Sequence, residues 1–238
     1  MLLAAGLEPP RAVWAHGYVQ WEGAKMSKTA GTAVDLAGAI ARHGPDALRY
    51  FLLREVGFTN DGDFTWERFD ERYTSDLADG LGNLASRSLA MLVKYRQGVV
   101  PPPGPSTRLD AAGDEAVRAY GSAMEGLDLR GGAEAAWSLV TAANQYIVQT
   151  APWNLAKTGN LQELDQVLGS LARCLERLAI LSFPFMPDKA EELWRSLGGQ
   201  TSVETAGWER VQRPAPEGQV VVKPENLFPK PPPSQSTT

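Results

Sequence analysis

The run Lys25-Met26-Ser27-Lys28-Thr29, set between Gly23 and Gly31, puts two ammonium groups and two hydroxyls on one short segment. Lysine carries a compact charge with three donors on a flexible stem. A pair of lysines can therefore follow negative charge as it moves from a triphosphate toward departing pyrophosphate. Flanking glycines allow such a segment to close and reopen. The same composition suits a solvated surface turn, so the neighbouring residues must decide. Asn83 and Arg87 are four residues apart, which on a helix places them on one face within reach of one ligand. Both side chain types suit the edges of unstacked bases, and an exposed polar stripe is the plainer reading. Trp153 follows Pro152 at a helix start, a position that usually serves packing. His16 ends a strand-like run near the lysines and reads equally as a donor to a nucleotide and as a structural histidine. His43, beside Gly44, reads as a helix C-terminal residue facing the dipole.

The elements that must hold these groups change character along the chain. Residues 13–21 are aromatic and β-branched and predict strand character ahead of the lysines. Asp35 predicts the cap of a short helix closed by His43-Gly44, and Pro45 opens a second helix running to Glu55. Residues 58–64, with Asn60-Asp61-Gly62-Asp63 inside them, read as a turn-dense connector. From Thr65, a predicted cap, apolar residues recur at spacings of three, four and seven as far as Tyr95, which predicts one long helix. Gly80 and Gly82 inside it each cost about 1 kcal/mol relative to alanine, which implies a close backbone approach. The Pro-rich segment 100–105 ends that helix.

Helices follow at 110–127, 132–149 and 161–181, with breaks at 128–131, 150–160 and 183–187, and then a short one at 188–197. Short breaks imply antiparallel neighbours, hence an up-and-down bundle. Trp66, Phe69, Tyr73, Tyr95, Trp137, Tyr146, Phe183, Phe185 and Trp194 are expected in its core. Glu191-Glu192 and Asp61/Asp63 read as surface or turn carboxylates. The expected divisions are residues 1–64, 65–212 and an extended, partly disordered tail at 213–238.

The 238 residues and 43% hydrophobic content are ordinary for a globular protein with a real core. A net charge of -5 argues against a coat for nucleic acid, DNA included, while leaving room for a local, shape-specific RNA contact. Cys174 stands alone, so it makes neither an internal disulfide nor a zinc site and is expected in the core. With no bilayer-length apolar stretch and no basic leader, the expected location is the cytoplasm, away from membranes. Met1-Leu2-Leu3-Ala4-Ala5-Gly6 reads like the end of a helix whose start is missing.

Three patterns, in this order, resemble one family: His16-Gly17-Tyr18-Val19 ahead of Gly23-Ala24-Lys25-Met26-Ser27-Lys28-Thr29, then Gly82-Asn83-Leu84-Ala85-Ser86-Arg87, then Ala151-Pro152-Trp153-Asn154-Leu155-Ala156-Lys157. Together they resemble the second half of a bacterial methionyl-tRNA synthetase, a class I aminoacyl-tRNA synthetase. Residues 46–55, Asp61-Gly62-Asp63-Phe64 and the closing Leu227-Phe228-Pro229-Lys230 add to the likeness. The implied fold is mainly α: the C-terminal remnant of a Rossmann-type nucleotide-binding catalytic domain, a stem-contact region, and an antiparallel α-helical anticodon-binding bundle.

The resemblance implies a Lys-Met-Ser-Lys-Ser loop, here with threonine last, that closes on ATP, with Mg2+, as methionine becomes methionyl-adenylate. It implies Lys28 as the main stabiliser of transition-state charge, Lys25 and Ser27 as phosphate-binding partners, and His16 as an ATP neighbour. It further implies that Asn83, Arg87 and Trp153 form one pocket for the CAU anticodon of tRNA-Met. The family's His-Ile-Gly-His-like motif, methionine pocket, acceptor-stem insertion and zinc knuckle do not occur in these residues. The expectation is a methionine-tRNA ligase in part, inactive by itself, with a separately encoded N-terminal half as one candidate partner. A stand-alone tRNA-binding module without ligase activity is the alternative.

Overall fold

The computed structural model describes residues 1–26, 34–57, 60–222 and 226–230. Ser27, Lys28, Thr29 and Gly31 lie outside the described residues. The N-terminal region holds a three-stranded sheet in the order β2-β1-β3, with β1 at Val19–Trp21, β2 at Ala24–Lys25 and β3 at Gly62–Phe64. β1 and β2 form an antiparallel hairpin, and β3 joins β1 in parallel after the crossover through α1 (Leu36–His43) and α2 (Pro45–Glu55). The hairpin turns on Glu22 and Gly23 at φ 49° and 74°. Two successive left-handed residues match the twist of a two-residue hairpin.

The strand expected at 13–21 is confined to Val19–Trp21, and the connector expected at 58–64 contains β3. The reason is visible in the aspartates. Asp61 accepts hydrogen bonds from the Tyr18 N–H at 2.8 Å and from Gln20 Nε2 at 2.9 Å, and Asp63 accepts the Gly23 N–H at 2.9 Å. Residues that usually signal turns here stitch strands together, and Phe64 stacks on Trp21 at 5.8 Å. Asp35 caps α1 by accepting the Gly38 N–H at 2.9 Å, and Pro45 occupies the first position of α2, both as the sequence predicts. His43 ends α1 as expected and also meets a carboxylate: its Nε2 lies 2.7 Å from Asp70 Oδ1, and its ring stacks on Tyr73 at 3.9 Å.

From Thr65, which accepts the Arg68 N–H at 3.2 Å, the chain is helical without a break to Arg96. It is not one uniform helix. α3 (Trp66–Arg72) passes into a π-helical segment at Tyr73–Gly82 and then into α4 (Asn83–Arg96). A Cβ on Gly80 would lie 3.1 Å from the Ser75 carbonyl oxygen, and one on Gly82 would lie 3.0 Å from that of Leu77. In each case the carbonyl is five residues back, so the close approach implied by the glycines is the widened turn itself.

The bundle continues with α5 (Arg108–Glu125), α6 (Leu129–Thr150), α7 (Pro152–Thr158), α8 (Leu161–Ser182), α9 (Pro187–Ser196) and α10 (Gly207–Gln212). Thr107 and Asp110 form a reciprocal capping box, so α5 begins earlier than its apolar pattern indicates. The break expected at 150–160 holds α7, with Ala151 at φ 42° turning the chain between helices. α8 is central: Leu164, Leu168, Leu171, Leu175 and Leu178 are buried along one stripe, and Cys174 is buried beside them. Of the aromatics expected in the core, Phe69, Tyr73, Trp137, Tyr146, Phe185 and Trp194 are buried, while Trp66, Tyr95 and Phe183 are partly buried against it.

The described part of the tail is extended and largely exposed, and it touches the bundle at a few points. Val100 and Val221 pair with backbone of 219 and 98, and Leu227 and Phe228 are buried. No helix of the described residues is long and apolar enough to cross a membrane.

Candidate functional site

A cleft of about 500 Å³ opens between the π segment, the start of α4 and the outer face of α6. Asn83 and Arg87 line it together, one turn apart on α4, as their spacing requires. From α6, Trp137, Val140, Asn144, Gln145, Val148 and Gln149 form the facing wall. Trp153 is not among the lining residues; it stands four residues beyond Gln149 at the start of α7, 43% exposed. The structure thus brings two of the three expected base-reading groups into one cleft and sets the third beyond its α6 end.

The electrostatics of the cleft follow from what is already paired. Asp76 accepts from Tyr50 Oη at 2.8 Å and from Arg72 at 3.4 Å, and Asp79 lies 2.6 Å from Lys230 Nζ. Burial, and then the nearby Asp76 carboxylate, push the Tyr50 phenol upward, so it stays a donor to Asp76. Both acids on the wall are therefore compensated from elsewhere. Among the described residues, neither Asn83 nor Arg87 takes a side-chain hydrogen bond, and Arg87 has no counter-ion. A guanidinium and an amide left open in a concave, half-polar cleft are suited to a planar ligand with donor and acceptor edges.

Of the expected ATP-binding group, Lys25 is described: it sits exposed in β2, opposite Gln20 of β1. Ser27 and Lys28 fall outside the described residues. His16 is exposed, and its Nδ1 donates to the Gly17 carbonyl at 2.7 Å. A neutral imidazole bonded in that way keeps Nε2 as an acceptor.

Two residues of the cleft make contacts that the sequence reading did not foresee. Trp137 donates its indole N–H to the Asp76 carbonyl at 3.1 Å, and Asn144 donates Nδ2 to the Gly80 carbonyl at 3.2 Å. Both bonds reach the π segment from α6, and nothing in the local composition of α6 announces them.

A short sheet with a Lys-bearing hairpin, joined through α2 to a helical bundle with an open polar cleft, has the organisation of the C-terminal part of a class I aminoacyl-tRNA synthetase. Two family profiles bear on this: the one described as tRNA synthetases class I (M) matches residues 1–89, and the one described as the anticodon binding domain of methionyl tRNA ligase matches residues 103–236. The chain belongs to the methionyl-tRNA synthetase family. It is 39% identical over 236 residues to the methionine–tRNA ligase of Caldanaerobacter subterraneus and 40% identical over 240 residues to that of Bacillus subtilis. Each match takes in 97% of this chain but 37% and 36% of those relatives, so the chain spans just over a third of their length. The Mycobacterium tuberculosis methionyl-tRNA synthetase solved in complex with methionyl-adenylate superposes with a TM-score of 0.86 at 32% identity, over 96% of this chain and 46% of that one.

Proposed function

We propose that these residues are the C-terminal part of a methionine–tRNA ligase, carrying the loop that closes on ATP and the bundle that reads the CAU anticodon of tRNA-Met. The observation that carries the reading is the cleft in which Asn83 and Arg87 stand without side-chain partners among the described residues, within a bundle of the anticodon-binding family. In the proposed reaction, a methionine carboxylate oxygen attacks the α-phosphorus of Mg2+-bound ATP, and pyrophosphate leaves. The methionyl group then passes to the 3′-terminal adenosine of the tRNA. Lys28 stabilises the charge that develops on the departing phosphates, Lys25 and Ser27 hold them, and His16 approaches the nucleotide. Removing a stabiliser of the Lys28 kind costs on the order of 2.7–4 kcal/mol in barrier.

Asn83 and Arg87 meet base edges, and Trp153 offers a ring on which a splayed base stacks. Such work belongs to the cytoplasm. The stand-alone binding module is the less favoured reading, since the matching relatives are named as ligases. The test has two arms on the 238-residue chain. It is expected to bind a CAU anticodon stem-loop more tightly than a stem-loop with an altered triplet, and to catalyse no ATP–pyrophosphate exchange. Equal binding of the two loops sinks the anticodon assignment, and exchange by the chain alone sinks its status as part of a larger catalyst.

A further inference from the structure

A π-helical segment as long as Tyr73–Gly82 is uncommon, and such segments concentrate at functional sites because they re-aim the residues that follow. Each inserted residue rotates the rest of the helix by about 100° relative to an uninterrupted α-helix. Asn83 and Arg87 begin immediately after this segment, so its width determines which way they face. Widening a helix strains its own carbonyl bonding, and here two groups from α6 take up carbonyls of the segment: the Trp137 indole at Asp76 and the Asn144 amide at Gly80. They lie two turns apart on α6 and reach the segment four residues apart, near its middle and near its end.

The Asn144 amide carries a further mark. Its Nδ2 sits between the Gly80 and Val140 carbonyls at 3.2 and 3.1 Å, while its Oδ1 is buried without a partner among the described residues. An asparagine kept only for stability would be a poor choice, because an unmet buried acceptor is itself unfavourable. The geometry points to Asn144 and Trp137 as positioning residues that hold the π segment open from α6 and thereby set the phase of Asn83 and Arg87 toward the anticodon. This rests on the anticodon reading of the cleft.

Asn144→Leu deletes the anchoring donor and, with it, the unmet acceptor at nearly constant volume. Trp137→Phe deletes the indole N–H while keeping a ring against Tyr50, whose own ring lies 4.2 Å away. The chain, both variants and Arg87→Ala would be titrated at one salt concentration with a CAU stem-loop and with a loop altered in its middle base, and melted in parallel. The expected result is that each positioning variant lowers the ratio of the two affinities about tenfold. Affinity for the altered loop should fall much less than affinity for CAU, and each variant should stay folded well above the titration temperature.

If Arg87→Ala loses the ratio while both positioning variants keep it, the inference fails and the anticodon reading stands. If a positioning variant lowers both affinities together with the melting temperature, the residues are merely structural and the inference fails. If Arg87→Ala itself keeps the ratio, the reading of the cleft is lost and this inference with it.

Discussion

At the scale of single residues, the cleft is defined by which charges are already spent. Asp76 and Asp79 are held by Tyr50, Arg72 and Lys230, so the guanidinium of Arg87 keeps its charge for a ligand. Trp153 is a ring of a different kind. It is 43% exposed and takes no ring contact among the described residues, so part of the ring is open to a base. Trp153→Ala is expected to weaken CAU stem-loop binding by about 1–3 kcal/mol, the worth of one stacked base, with Trp153→Phe retaining part of it. Fluorescence titration of both variants checks this, with a circular-dichroism melt to confirm that each variant is folded at the titration temperature. Asn83, Arg87 and Trp153 could be nominated from the sequence because their order resembles a known family. Trp137 and Asn144 were not, because each acts on a backbone carbonyl in another helix, and a carbonyl leaves no residue type to read.

At the scale of elements, the helical run from Trp66 to Arg96 shows what a spacing pattern contains and how it can be misread. Phe69, Tyr73, Leu77, Leu81, Ala85 and Leu89 are all buried, each four residues after the last. In a pure α-helix a spacing of four drifts by about 40° per step, so five steps would carry the stripe roughly 200° around the axis. A wider π turn rotates each residue less and cancels that drift. The signal was therefore present, although spacings of three, four and seven describe an ordinary helix equally well.

Gly82→Ala tests the point. In an α-helix the change would add about 1 kcal/mol of stability. Here the new Cβ meets the Leu77 carbonyl at 3.0 Å and Phe228 at 3.5 Å, so the expected outcome is destabilisation, by about 1–2 kcal/mol in urea titration. β3 and α7 were missed for a related reason. The aspartates of 61 and 63 satisfy strand backbone, and a left-handed Ala151 makes a two-helix corner out of what composition marks as a break.

At the scale of the whole molecule, α2 is the joint between the sheet and the bundle. Asp46 accepts the Lys189 N–H at 2.7 Å at the start of α9, Arg49 donates to the Pro184 carbonyl at 2.8 Å, and Arg54 pairs with Glu134 of α6 at 2.7 Å. Asp110 performs the corresponding task within the bundle, capping α5 while accepting from Arg173 and Ser170 of α8. Burial alone would raise its carboxyl, but the hydrogen bonds of Arg173, of the Thr107 N–H and of Ser170 outweigh it and hold it at about 2.

A carboxyl depressed on folding stabilises above its unfolded pKa of 3.8 and loses that contribution as pH falls through its folded value. The wild-type chain should therefore lose on the order of 1–2 kcal/mol between about pH 4 and pH 2, discounted for solvent screening. Asp110→Asn should melt lower at neutral pH and show a flatter acid limb, which a pH series of thermal melts measures.

The mainly helical character of the chain after Thr65 was legible from caps, breaks and periodicity. The docking of the tail was not, since Leu227 and Phe228 sit in a Pro-rich composition that ordinarily marks unstructured chain.

The central claim is that the open cleft between the π segment and α6 discriminates a CAU anticodon. The direct measurement is equilibrium titration of the chain, and of Asn83→Ala and Arg87→Ala, with CAU and altered stem-loops at fixed salt. The account predicts tighter binding of CAU by the wild type, with about 1–3 kcal/mol of that preference lost in each variant. A wild-type chain that binds both loops equally, or variants that keep the full preference, would contradict it.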